Sequence, residues 1–142
     1  MSEDEEPVAG PLDVDILDRI GQRLAGSDRF STVTVQPESA RDSVVAEFDL
    51  GFYPAAVERA YLQIRWFQTD DFSVHYLEEY ASGETWECRW DRHPNDHNTR
   101  DHFHPPADAP TQGTDAAYPT DWRAVLTRVL ERLDERIESF WE

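Results

Sequence analysis

Between residues 30 and 90 the chain alternates apolar and polar residues in five short runs, the pattern of strands that bury one face. In residues 30–35, Val33 and Val35 are set off by Thr32 and Thr34. In residues 44–50, Val44, Ala46, Phe48 and Leu50 oppose Val45, Glu47 and Asp49. Residues 60–67 place Leu62, Ile64 and Trp66 on one side, residues 72–80 place Phe72, Val74 and Tyr76 there, and residues 84–90 do the same with Trp86, Cys88 and Trp90. The connectors Thr69-Asp70-Asp71 and Ala81-Ser82-Gly83 are too short for a crossover helix, so consecutive runs must pair as antiparallel hairpins. The link from Leu50 to Ala60 is longer, carries Gly51 and Pro54, and reads as a loop or a short helical turn.

A sheet with one apolar face needs a cover, and two helical patterns supply it. Residues 11–25 repeat Leu12, Ile16, Leu17, Ile20 and Leu24 at helical spacing, with Pro11 just inside the start and Gly26 at the stop. After Pro119, Thr120 reads as the N-cap and Asp121 as a first-turn acid. Trp122, Val125, Leu126, Val129, Leu133, Ile137 and Phe140 then form an apolar stripe running to the end of the chain. The order predicts an α+β fold: an antiparallel β-meander of about five strands packed by an N-terminal and a C-terminal helix. Residues 11–142 are expected to form one domain, behind a disordered acidic tail at 1–10 and with a long His-rich loop at 91–119.

Charge bounds where such a chain works. Acidic residues number 30 and basic ones 13, for a net charge of -17 over 142 residues, and every basic residue is Arg. That usage fits a salt-adapted protein of the haloarchaeal type. Carboxylates hold water and cations at its surface, and concentrated salt screens their self-repulsion over about 3 Å at 1 M. Such a surface does not attract nucleic acid broadly, so contact with RNA has to be local and built from Arg, His and aromatic groups. Cys88 is the single cysteine, which excludes an intrachain disulfide. No apolar run of about 18 residues is present, so no membrane is expected as a partner, and with no signal-peptide pattern after Met1 the expected location is cytoplasmic.

Chemistry concentrates in one place. Four of the five histidines, His93, His97, His102 and His104, fall within twelve residues, among Arg92, Arg100, Asp91, Asp96 and Asp101. Three readings stay open. In a metal site, His102 and His104 flank Phe103 and would project to one side of an extended chain, with His97 or Asp101 as third ligand for a divalent ion such as zinc. In metal-free acid–base chemistry, one imidazole takes and another gives a proton near neutrality. Arg100 or Arg92 would stabilise charge on a phosphoryl oxygen, and Asp101 would orient an imidazole. That set suits RNA cleavage by the ribose 2'-hydroxyl. In a purely structural loop, the same groups satisfy turn amides and backbone. His75 reads as a surface strand residue, Cys88 as a buried thiol, and Trp66, Trp86 and Trp90 as core.

The segments Arg89-Trp90-Asp91 and Arg100-Asp101-His102-Phe103-His104, then Tyr118 and the helix from Asp121, resemble the TumE family of toxins from toxin–antitoxin pairs. The likeness spans roughly residues 44–140. It implies an antitoxin partner, usually a small DNA-binding protein encoded alongside, and action on RNA, with Asp91, Arg100, Asp101, His102 and His104 as the catalytic set. The chain departs from the family pattern at Asp91-Arg92, where the family has an Asp-Asn pair, and in its longer His-bearing loop. The N-terminal helix and acidic tail read as additions. Against the toxin stand a non-catalytic binding or assembly module, including a homo-oligomer, and a small metal-binding protein with His97, His102 and His104 as ligands.

Overall fold

A computed structural model describes residues 11–36, 42–92, 101–105 and 114–142. The acidic segment 1–10 and the residues His93, His97 and Arg100 lie outside the described residues.

Helix α1 (Val14–Ala25) is followed by strands β1 (Phe30–Gln36), β2 (Ser43–Phe48), β3 (Val57–Trp66), β4 (Phe72–Tyr80), β5 (Thr85–Arg92), β6 (Asp101–His104) and β7 (Thr114–Asp115), and then by helix α2 (Trp122–Ser139). The strands lie in the sheet in chain order, each antiparallel to the next, so the sheet is a plain meander. The α+β architecture agrees with the sequence reading, but the sheet has seven strands rather than about five. The reading of 91–119 as one loop is corrected at Asp91–Arg92, which end β5, and at β6 and β7. Both added strands are short and poor in β-formers. Pairing holds them, β6 against β5 and β7 against β6, and propensity gives no hint of it.

Local chemistry explains the element ends. Asp13, not Pro11, starts α1: its carboxylate accepts from the Ile16 amide at 3.0 Å. Pro11 lies outside the helix, where its carbonyl accepts from Gln68 N at 2.8 Å, while Asp13 N donates to Trp66 O at 2.8 Å. These bonds stitch the approach to α1 onto the end of β3. At the C-terminal helix the cap is Asp121 rather than Thr120, with its carboxylate accepting from Arg123 N at 2.9 Å. The link after β2 forms a 3-10 turn at Leu50–Phe52. In the two tight hairpins Asp70 (φ 67°) and Gly83 (φ 92°) take the left-handed conformation, which aspartate and glycine tolerate best.

Alternation along the strands splits the sheet into two faces. Ala46, Leu62, Ile64, Trp66, Val74, Tyr76, Cys88 and Trp90 pack under Leu17, Ile20 and Leu24 of α1 and Val125, Leu126, Val129 and Leu133 of α2. Arg23 ties the helices together by donating to Arg123 O at 2.9 Å and to Thr127 Oγ1 at 2.7 Å. Arg29 grips Asp134 through two nitrogens, at 2.8 and 2.6 Å, and fixes the start of β1 to α2. Deeper in, Glu78 is fully buried beneath α2, where Arg136 donates to both its oxygens at 2.7 Å. The hydroxyls of Tyr76 and Tyr80 donate to the same carboxylate at 2.6 and 2.7 Å. A carboxylate so fully paired is tolerable in a core; a lone one is not. The opposite sheet face is polar, and the functional candidates sit there.

Candidate functional site

β5 carries its odd-numbered residues to the polar face. Arg89 stands directly across from His104 of β6, and Asp91 directly across from His102. Facing residues share a side of the sheet, so pairing β5 with β6 gathers two imidazoles, a carboxylate and a guanidinium on one patch. Asp91 Oδ2 is the hub: it lies 2.9 Å from His104 Nε2 and 3.0 Å from Arg89 Nε. His102 Nδ1 is 3.7 Å from Asp91 Oδ1. The second Arg89 nitrogen lies 3.4 Å from His104 Nδ1 and 3.1 Å from Nε2.

An ionised carboxylate only accepts. Asp91 therefore favours a proton on His104 Nε2, while the Arg89 guanidinium lies against the ring. Asp91, His102 and His104 are buried, whereas the Arg89 side chain keeps 34% of its surface exposed. Of the four side chains Arg89 is the most exposed. Histidine with an orienting carboxylate is the arrangement of a general base, and a neighbouring arginine is suited to a phosphoryl oxygen.

Asp101 occupies other ground. It shares the helix-covered face with Arg92, which stands directly across from it. Arg92 donates to its two oxygens at 2.6 and 3.1 Å, and the Tyr118 amide donates to Oδ2 at 2.7 Å. Arg92 also donates to the Tyr118 and Pro119 carbonyls at 2.8 and 3.1 Å, so this pair ties β6 to the approach of α2. Asp91 is the carboxylate that lies against His104 on the polar face, whereas Asp101 is paired with Arg92. Tyr118 completes the tie, its hydroxyl donating to His102 O. Burial raises its hydroxyl above the usual phenol range, with Asp91 and Asp101 adding to the effect.

Burial alone would raise the Asp101 carboxyl, but Arg92 and the Tyr118 amide outweigh it and hold the group below the usual carboxylate range. A lowered folded value means that the pair contributes fully above the unfolded value of about 3.9 and fades as pH falls through the folded one. The stability gap between wild type and Asp101→Asn is therefore expected to shrink from about pH 5 toward pH 2, read from urea midpoints across that range. A gap that stays constant contradicts the assignment.

Among the other sequence candidates, His75 lies 2.7 Å from Glu87 on the neighbouring strand and is tied up there. Burial pushes the Cys88 thiol up to about 12, so it is inert as a nucleophile. Trp66 and Trp90 are core, and Trp86 is half-buried at its edge. Arg89 belongs to the Arg89-Trp90-Asp91 segment of the motif. Its spacing of two from Asp91 is the signal that puts both on one face.

Comparison with known proteins decides the family. A family model described as toxin TumE matches residues 16–137. The chain belongs to the TumE toxin family. The match takes in α1 from Ile16 onward, so the N-terminal helix, expected as an addition beyond a likeness at 44–140, lies within the TumE region but for its first two residues. Neither curated proteins nor solved structures give a match. Among the described residues no helix is long and apolar enough to cross a membrane, and no group of three or more His, Cys, Asp and Glu is placed to hold a metal ion. His97 of the expected ligand set lies outside the described residues.

Proposed function

We propose that this TumE-family chain is the toxin of a toxin–antitoxin pair and cleaves RNA at the Arg89–Asp91–His102–His104 cluster, working in a salt-rich cytoplasm beside an antitoxin that restrains it. The supporting observation is the Asp91 carboxylate, held at once by His104 and Arg89, with His102 alongside. His104, oriented by Asp91, takes the proton from a ribose 2'-hydroxyl, whose oxygen attacks the adjacent phosphorus. The bond to the 5'-oxygen breaks, and His102 gives that oxygen a proton. The products are a 2',3'-cyclic phosphate and a 5'-hydroxyl end. Arg89 holds the phosphoryl oxygens as charge grows on them. Asp101 and Arg92 act behind the site, keeping β6 in register. The Arg100 role expected from the motif is a further phosphate contact.

A metal reading through His97, His102 and His104 finds less support. The Arg89 guanidinium lies against both ring nitrogens of His104, where it would oppose a second cation.

Growth tests the reading. Wild type expressed in a salt-loving host is expected to arrest growth. His102→Ala/His104→Ala, at matched folded level, is expected to leave growth unaffected, and co-expression of the antitoxin is expected to relieve the arrest. Equal growth with both chains sinks the toxin site, and equal arrest removes the imidazoles from it.

A further inference from the structure

On the helix-covered side of the sheet, away from the histidine cluster, a cavity of about 410 Å³ opens between α2 and strands β5 and β6. Its walls are aromatic, with Trp86, Trp90 and Phe103 from the strands and Tyr118 from the segment leading into α2. Arg128, Arg132 and Arg136, four residues apart on one stripe of α2, form the opposite side. In a chain of net charge -17, three guanidiniums around one aromatic cavity form a local reversal of sign.

The three arginines are not equivalent. Arg136 is committed to Glu78 and lies over the Trp86 ring at 3.3 Å, so it builds the wall. Arg128 donates one nitrogen to the Ala117 carbonyl at 2.6 Å and keeps its other donors for a ligand. Among the described residues Arg132 has a 3.8 Å contact with Glu135, and both side chains are 70% exposed, so that contact restrains it little. A cavity of this volume is of small-molecule size, too small for a helix. Its apolar planar walls ask for a flat ring and its two available forks ask for an oxyanion.

We propose that this groove binds a nucleotide, the aromatic wall receiving the base and Arg128 with Arg132 receiving the phosphate. The ligand is either a free mononucleotide or the phosphorylated end of an RNA strand, which present the same chemistry. The site is separate from the histidine cluster and does not depend on RNA cleavage there. Stacking tolerates salt better than phosphate contacts do, so a mixed site suits concentrated salt better than a purely basic one.

Tryptophan fluorescence of the full chain in about 2 M KCl reads the groove, because Trp86 and Trp90 line it. Adenosine monophosphate is expected to give a saturable change, with adenosine at least about 10-fold weaker and inorganic phosphate without effect. Arg132→Gln is expected to weaken the monophosphate about 10-fold with unchanged circular dichroism and melting. His102→Ala/His104→Ala is expected to bind it as wild type does, so loss of RNA cleavage leaves this result standing. A 5'-phosphorylated tetranucleotide binding more tightly than the monophosphate identifies an RNA end as the ligand, and equal or weaker binding identifies the free nucleotide. The proposal is overturned if neither nucleotide probe saturates, if adenosine matches the monophosphate, or if Arg132→Gln binds as wild type does.

Discussion

Arg136→Ala is expected to lower the free energy of unfolding by about 3–5 kcal/mol, the largest stability loss among single changes at polar residues of this chain. The reason lies in what is left behind. Glu78 has no exposed surface, and its two oxygens are held by two Arg136 nitrogens and two tyrosine hydroxyls. Without the guanidinium, two neutral hydroxyls remain to solvate a buried charge. The same change removes the cation lying over Trp86, and with it the polar anchor of α2 on β4. For a domain stable by about 5–15 kcal/mol, the loss consumes a large share of the margin. Arg136→Lys is expected to fall between, since an ammonium keeps the charge but not the two-pronged geometry. Denaturant unfolding in concentrated salt measures all three chains. A loss below about 1 kcal/mol for Arg136→Ala would mean that water reaches Glu78 and that the network is no anchor.

The largest functional effect is expected at His104. His104→Ala removes the oriented base and should lower RNA cleavage by about 10²- to 10⁴-fold. Asp91→Asn keeps the shape but no longer enforces the proton on Nε2, because an amide can present either an acceptor or a donor to the ring. Its loss should be of the same order, with the fold intact. Arg89→Lys keeps a charge near the phosphate site but not the planar fork, and should cost less than Arg89→Ala. The control is Asp101→Asn. Asp101 lies beside the histidines in sequence, yet it binds Arg92 and the Tyr118 amide on the other face. It should therefore lose stability while cleavage per folded molecule holds. Rates per folded chain across these five variants separate the two faces of β6. Equal losses at Asp101 and His104 would erase the distinction.

Particular residues show how much of this was legible in sequence. The alternation of Leu62, Ile64 and Trp66 against Tyr61, Gln63 and Arg65 is enough to place β3 and its buried face, and the same holds for β2, β4 and β5. Both helices are legible from their apolar stripes, but their starts are off by three positions and by one, because Pro11 and Thr120 compete on type with Asp13 and Asp121. β6 was not legible. Four residues with two histidines and an aspartate carry no strand signal, and only their pairing with residues 89–92 of β5 makes them one. That pairing also decides the site. Spacing in the motif puts Asp101 next to His102, and the pleat sends the two to opposite faces. The long-range partners, Glu78 with Arg136 and Arg29 with Asp134, are 58 and 105 positions apart and leave no local trace.

The most direct measurement is RNA cleavage by the purified chain in about 2 M KCl with a chelator present, wild type beside His102→Ala/His104→Ala. Cleavage by wild type alone, leaving 2',3'-cyclic phosphate and 5'-hydroxyl ends, is the expected result, since the proposed chemistry needs imidazoles and no metal. Intact RNA with the folded wild type, or the same products from the double variant, would contradict the assignment of the β5–β6 cluster as the site of cleavage.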